Sequence, residues 1–229
     1  TNLSLNFSYD DLRTNSNASA SLQKQDGDFT ELAAVYGLTY DKRNRTFMPT
    51  DGSVFGFVQS LPIYADKPFI DNTFRFSTYH EFNENYVGSG KIFLSAINGL
   101  NDEDVRLSKR KTLSTRRLRG FSKGKIGPVD GNDHIGGNYA AAVNFDVNLP
   151  NLLPDSSNTD VSFFVDFGNV WEVDYDDSLN DSNKLRSSTG VNASWISPIG
   201  PMTFTLATNL SKASTDTTES FNFNLGTSF

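Results

Sequence analysis

Cysteine is absent, and histidine occurs only at positions 80 and 134. A disulfide framework, a CxxC redox site and a Cys-rich zinc site are therefore excluded, and two imidazoles cannot build a multi-histidine metal centre. Long hydrophobic runs are missing too. Purely apolar stretches are as short as Ala140-Ala141-Ala142-Val143, against the ~18 to 20 residues a spanning helix requires. Hydrophobic residues make up only 37% of the chain and include nineteen Phe, whereas a large soluble core draws mainly on Leu, Ile and Val. Acidic residues are absent from one window: residues 105–125 hold nine of the twenty basic residues and no Asp or Glu, in a chain of net charge −7. A mildly acidic body thus carries one strongly basic segment. Residue 1 is Thr and no signal-peptide pattern precedes the first strand-like stretch, so the chain reads as a piece of something longer.

What is present is alternation with period two, the mark of strands with two different faces. Leu3, Leu5, Phe7 and Tyr9 alternate with Asn2, Ser4, Asn6, Ser8 and Asp10. The pattern returns at Leu32 to Tyr40, Phe55 to Ile63, Phe74 to Phe76 and Ile92 to Ala96. Beyond the basic segment it returns at Ala141 to Leu149, Val161 to Phe167, Thr189 to Trp195, Met202 to Leu210 and Phe221 to Phe229. This predicts ten strands. The alternate faces are mostly Asn, Ser, Thr, Gly and Asp, which does not suit the dry interior of a β-sandwich. It does suit a transmembrane antiparallel β-barrel, with apolar residues facing lipid and polar residues facing a wet lumen. The connections sort by parity: Pro49-Thr50-Asp51-Gly52, Asn83-Glu84-Asn85, residues 150–159 and residues 197–201 are turn-rich, while those of the other parity are mostly longer and polar. Short turns place both chain ends on the periplasmic side.

Residues 99–135 exceed the length of a mere connector. Their nine basic residues are Arg106, Lys109, Arg110, Lys111, Arg116, Arg117, Arg119, Lys123 and Lys125. For most of these the residue types alone predict a solvated, cation-rich external loop. Neither histidine carries a nucleophile motif: His80 alternates with Phe76 and Phe82 near an aromatic rim, and His134 lies in the long loop.

The motif Leu118-Arg119-Gly120-Phe121, followed by Ile126-Gly127-Pro128 and Gly136-Gly137-Asn138, resembles the BamA-like outer-membrane assembly factors. So do Phe163-Phe164-Val165-Asp166-Phe167-Gly168-Asn169-Val170-Trp171, Leu185-Arg186-Ser187-Ser188-Thr189-Gly190 and the turn Trp195-Ile196-Ser197-Pro198-Ile199-Gly200-Pro201. Upstream, Tyr40-Asp41-Lys42-Arg43 and Phe47-Met48-Pro49-Thr50-Asp51-Gly52-Ser53 extend the likeness to essentially the whole chain. The resemblance implies that residues 1–229 are the last ten of about sixteen barrel strands, an open curved sheet if alone, with the first strands and the periplasmic POTRA repeats missing. It also implies that the basic loop folds back into the barrel and that Arg119 bonds carboxylates on the inner wall. Asp146 and Asp166, both out of phase with their apolar neighbours, are the candidate partners. Arginine offers carboxylates a planar fork that Lys cannot reproduce. Gly120 and Gly127 would permit tight backbone, and Phe121 would pack beneath the loop.

At the end of the chain, Phe221, Phe223, Leu225 and Phe229 resemble the strand signal by which outer-membrane barrels are recognised, and in the family this strand forms a lateral gate. The family likeness implies no cofactor, no metal, no nucleic acid and no enzymatic chemistry. Its expected partners are unfolded outer-membrane proteins, accessory lipoproteins reached mainly through POTRA repeats, and outer-membrane lipid with lipopolysaccharide. A TamA-like factor, a two-partner secretion pore and a passive diffusion porin remain alternative readings.

Overall fold

The computed structural model describes residues 1–150, 152–154, 158–198 and 200–226, apart from the side chains of residues 20 and 21. Ten strands form one antiparallel sheet in chain order: β1 (Asn2–Leu12), β2 (Gly27–Asp41), β3 (Gly52–Ala65), β4 (Phe69–Asn83), β5 (Tyr86–Gly99), β8 (Tyr139–Leu149), β9 (Thr159–Trp171), β10 (Arg186–Ser197), β11 (Gly200–Ser211) and β12 (Phe221–Leu225). A small hairpin, β6 (Val129–Asp130) and β7 (Asp133–His134), lies within the long loop. β1 and β12 are the two ends of the sheet, so the sheet is open, as the family resemblance implies for this stretch alone.

The period-two pattern decides which face each side chain takes. On one face stand exposed Leu5, Phe7, Leu94, Phe145, Phe163, Leu206 and Phe223. There the cross-strand neighbours are aromatic or aliphatic: Phe57 opposes Phe74, and Phe74 in turn opposes Leu94. Such pairs are the unit of sheet stabilisation. On the other face Ala140, Ala142, Asn144 and Asp146 of β8 and Phe164 and Asp166 of β9 are buried. What buries them is the loop between β5 and β8, which also meets β1, β2, β4 and β11 through side chains. A single loop can touch strands this far apart in the order only if the sheet curves around it.

Strands run further than the apolar alternation suggests. β4 begins at Phe69 rather than Phe74, because outward-facing Asn72 breaks the apolar pattern while its Oδ1 accepts a 2.8 Å hydrogen bond from Gln59 of β3. A satisfied polar pair can therefore sit within a strand that the apolar pattern misses. The parity of the connections also has exceptions. Residues 66–68, on the long-loop side, are a three-residue turn, and Asp66 caps it by accepting from the Thr30 amide at 2.7 Å. Residues 42–51, on the other side, make a longer turn that Asn44 closes onto Thr50 and Asp51.

The two faces predict different tolerance to charge. Phe145→Arg on the convex face should destabilise the barrel by about 2–4 kcal/mol in a bilayer, whereas Val58→Arg on the concave face should cost clearly less. Reversible unfolding in lipid vesicles measures the difference, and equal costs would refute the lipid-facing assignment.

Candidate functional site

The site is the contact between the basic loop and the concave wall. Gly120 turns the chain at φ 86°, and a Cβ there would meet Ala207, Asn209 and Ser188 at 3.2–3.3 Å. Only glycine fits such an approach without strain. The turn is held from both sides, because the Arg119 carbonyl accepts from Ser188 Oγ and the Gly120 carbonyl accepts from Asn209 Nδ2 at 2.9 Å. Gly127, at φ 93°, passes so close to β9 that a Cβ would lie 2.9 Å from Val170 Cβ.

Arg119 then points at the wall with a fixed fork. Its Nε and Nη2 donate to the two oxygens of Asp166 at 2.8 and 2.6 Å, and its own amide donates to Asp166 Oδ2 at 3.0 Å. Nη1 donates to Asp146 Oδ1 at 2.7 Å, while Lys91 approaches Asp146 Oδ2 at 3.2 Å. The guanidinium also lies 3.7 Å from the centroid of the Phe164 ring, a favourable cation–π placement. Burial alone would lower the Arg119 pKa; the Asp166 and Asp146 carboxylates outweigh that and raise it. Arg119 is 8% exposed, Asp146 5% and Asp166 0%, so loss of one member would strand an uncompensated charge away from water. Beneath the turn Phe121, Leu118, Leu113 and Ile126 pack with Phe93, Ala140, Ala142 and Val170. Burying one such aromatic or aliphatic side chain contributes about 1.5–3 kcal/mol.

The structure thus brings together five residues singled out by the motif: Arg119, Gly120, Phe121, Asp146 and Asp166. It places the other two groups elsewhere. Trp195, Pro198, Gly200 and Pro201 belong to the β10–β11 hairpin, where Gly200 has φ 123°, Ser197 Oγ donates to its carbonyl at 2.7 Å, and the Pro201 carbonyl accepts from the Gly226 amide at 2.7 Å. This motif turns the chain and takes no part in the clamp. Phe221, Phe223 and Leu225 stand exposed on β12, with Phe223 5.1 Å from the Phe204 ring. Phe229 lies outside the described residues.

The expectation of a solvated basic loop is corrected. Arg106 pairs with Glu31 at 2.9 Å and with Asp10 at 3.3 Å, Lys109 with Glu31 at 3.0 Å, Lys111 with Asp71 at 2.5 Å, and Arg110 with Asp174. Arg117 covers the Phe93 ring, while Lys123 and Lys125 are exposed. The physical reason is that the wall and the β9–β10 connection carry carboxylates where the loop is basic, and a folded loop meets them at several points rather than one. His134 is likewise engaged, with Nε2 3.0 Å from the Thr215 carbonyl, while His80 is exposed and packs edge-on to Phe82 at 5.1 Å.

Sequence reading missed several participants. Asn144 joins the clamp by donating to Asp166 at 2.7 Å, and Phe164 lines it although its neighbours Phe163 and Val165 face outward. Phase along β9 places both Phe164 and Asp166 inward, and that signal could have found the ring. Arg186 forms a second buried node: it is 0% exposed and reaches Asp216, Asp181 and Asn169. Its advance signs were the place of Arg186 in the motif Leu185 to Gly190 and the Asp-rich stretch 172–184 just before it. A third node gathers Arg110, Asn138 and Asp174. Burial opposes ionisation of Asp174, yet the Val105 amide, Arg110 and Asn138 hold its pKa below the ordinary carboxylate value. Among the described residues no cluster of three or more metal-binding side chains exists.

Comparison with known proteins places this geometry. The Omp85 superfamily domain matches residues 1–229. The chain is 28% identical over 204 residues to the outer membrane protein assembly factor BamA of Neorickettsia risticii, covering 86% of this chain and 27% of that protein. It is 31% identical over 141 residues to BamA of Neisseria meningitidis serogroup B, covering 49% of this chain and 17% of the relative. It therefore spans about a quarter of the length of such relatives. The crystal structure of BamA from Haemophilus ducreyi lacking POTRA domains 1-3 superposes with a TM-score of 0.86 at 24% identity, over 96% of this chain and 49% of that one.

Two outcomes test the clamp. Arg119→Ala should destabilise the seated loop by about 3–5 kcal/mol, the range for breaking a buried pair, and Arg119→Asp combined with Asp166→Arg should recover part of the loss. Protease resistance of the loop measures both, and a double variant no better than either single one would refute the pair. The Asp174 node should respond to acid. A carboxylate whose folded pKa lies below its unfolded value of about 3.9 stabilises above that value and loses the contribution as pH falls through the folded pKa. Loop protection should thus hold from pH 7 to 5, decline below about 4, and decline less in Asp174→Asn.

Proposed function

This chain belongs to the Omp85 superfamily, and from that premise we propose that it forms the C-terminal part of the barrel of a BamA-like factor, one that inserts and folds outer-membrane β-barrel proteins. It is an integral β-barrel protein of the bacterial outer membrane. The observation that carries the functional reading is the family match along the entire chain, in which the motif arginine is seated on the inner wall. In this reading the remaining barrel strands and the POTRA repeats belong to the same polypeptide, upstream of β1. Accessory lipoproteins dock mainly on those repeats, and lipid with lipopolysaccharide surrounds the convex face.

The mechanism is physical rather than covalent, and the chain works as an assembly factor rather than an enzyme. An incoming strand must move polar backbone through lipid, where unsatisfied N–H and C=O groups are costly. β12 offers a remedy. It pairs on one side with β11 through Met202 to Leu206, and its other side would form a lateral gate with the first strand of the complete barrel. An incoming strand satisfies its hydrogen bonds by adding to that edge. Locally thinned bilayer beside the gate would shorten the apolar path. The loop supports the gate from within, because Glu219 donates its amide to the Gly120 carbonyl at 3.0 Å and Phe121 bridges to Thr218, two residues before β12's lead-in at Ser220.

The porin reading would use the basic loop as an anion-selective constriction. Five of its cations, Arg106, Lys109, Arg110, Lys111 and Arg119, instead meet carboxylates, which leaves little net field for selection. A TamA-like role would share the clamp and differ in the repeats upstream.

In the full-length protein, Arg119→Ala and Arg119→Lys should both lower the steady-state level of folded outer-membrane barrels, with Lys unable to replace the bidentate fork. Quantitative blotting of several barrel proteins after depletion of the wild-type copy measures this. Normal barrel levels, together with a stable large single-channel conductance, would refute assembly and favour a diffusion pore.

A further inference from the structure

Beside the Arg119 clamp the loop sets a second guanidinium on the wall, and among the described residues no carboxylate pairs with it. The Arg117 guanidinium carbon lies 3.5 Å from the centroid of the Phe93 ring, and the Arg117 carbonyl is fixed by a 2.9 Å hydrogen bond from Asn144 Nδ2. Arg75 stands directly opposite Phe93 in the β4–β5 register, on the same concave face as Asp71 and Thr73. On its other flank Arg75 opposes Gly56 of β3, where a Cβ would meet nothing nearer than the Leu38 carbonyl at 4.0 Å. The missing side chain leaves open space at the position next to Arg75 in the register.

One cation therefore lies over the Phe93 ring, and a second stands beside that ring in the strand register, close enough for its charge to be felt by the first. Among the described residues, neither has an ion-pair partner, in contrast to Arg106, Arg110, Arg119 and Arg186, each of which meets a carboxylate. The contact with the ring is made by the π-system rather than by a hydrogen-bond acceptor, so the N–H donors of Arg117 keep their capacity for a planar oxyanion. Burial, and then the charge of Arg75, lower the Arg117 pKa to about 10, the direction expected of a partly dehydrated cation facing a like charge. Uncompensated charge of this kind is costly when half-buried, and a bound anion would relieve both the dehydration and the repulsion.

We propose that Arg75 and Arg117 form an oxyanion-binding subsite on the concave wall, which takes one carboxylate or phosphate group between two guanidinium forks. The loop covers the wall from the long-loop side, so the ligand enters from the side of the short 84–85 turn, the periplasmic mouth. The subsite does not depend on the assembly function and would exist equally in a pore.

The test uses the full-length protein in lipid nanodiscs. Cleavage by chymotrypsin after Phe121, which is 2% exposed, requires the loop to leave the wall and so dismantles the subsite. Inorganic phosphate at ten times its dissociation constant should slow that cleavage about elevenfold, relative to chloride at equal ionic strength. The Arg75→Gln/Arg117→Gln variant should show no phosphate effect. A second arm asks whether the anion is instead a side chain of a polypeptide. In Arg117→Lys, a water-soluble carbodiimide should join position 117 to an Asp or Glu other than Asp146 and Asp166, identified by mass spectrometry, and Arg75→Gln should reduce the yield several-fold. Phosphate protection lost in the double variant assigns a free anion, and a carbodiimide product assigns a side-chain carboxylate; either supports the subsite. Equal phosphate protection in wild type and double variant, or no protection and no cross-link, overturns it.

Discussion

The architecture depends on guanidinium groups of one loop meeting carboxylates of a curved wall. Residues 105–125 of the loop are basic without acid, and the wall together with the β9–β10 connection supplies the acid, so neither half is electrostatically complete alone. Asp166, fully buried and holding the Arg119 fork, would be an expensive isolated charge if the loop covered it without supplying that arginine. Seated against Arg119 it becomes a fixed point. Buried pairs of this type are weak arguments for net stability, but they are strong specifiers of position, because few other placements of the loop satisfy every charge at once. Arg106 on Glu31, Lys111 on Asp71 and Arg110 on Asp174 repeat the logic along the loop.

The two faces of the sheet answer to different solvents, and one alternating pattern serves both. On the convex face the requirement is apolar surface, met by Phe and Leu in cross-strand register. On the concave face the requirement changes along the barrel. Where the loop sits, Ala140, Ala142 and Val170 make a dry floor for Leu118 and Phe121, and Asn144, Asp146 and Asp166 supply the bonds. Near the sheet's last strands the same face is Asn192, Thr205 and Asn222, which bond mainly to one another and to nearby polar groups. The dry floor lies on β8 and β9 and the polar stretch on β10 to β12, so one concave face changes character from strand to strand.

Much of this is legible in the sequence. Alternation at Leu3 to Tyr9 or Val161 to Phe167 reports a two-faced strand because side chains must point to opposite sides of a pleat. Phase alone also turned Asp146 and Asp166 inward. What could not be read was pairing at a distance. Arg106 and Glu31 lie 75 residues apart, and nothing local to either says that the other is near; the bland reading of a basic run as a solvated face then prevails. Phe164 was hidden for a different reason, since a Phe beside Phe163 reads as more lipid-facing surface until the phase is counted. Asn72 and Gln59 concealed the true start of β4 by satisfying each other on the apolar face.

The seam between β5 and β8 has a kinetic meaning. Every other junction in the meander joins strands across a shorter stretch of chain, while this one spans residues 100–138. Closing a long connection is entropically mild, about 0.6 kcal/mol for each doubling of length, but fixing its backbone costs about 1–2 kcal/mol for every residue ordered. That ordering cost cannot be recovered until the wall exists to receive the loop's cations. Local hairpins on either side can form early, as short-range contacts do, and the loop settles onto them afterwards. Seating of the loop accordingly follows formation of the wall that receives it, so an order of assembly is written into the length of a single connection.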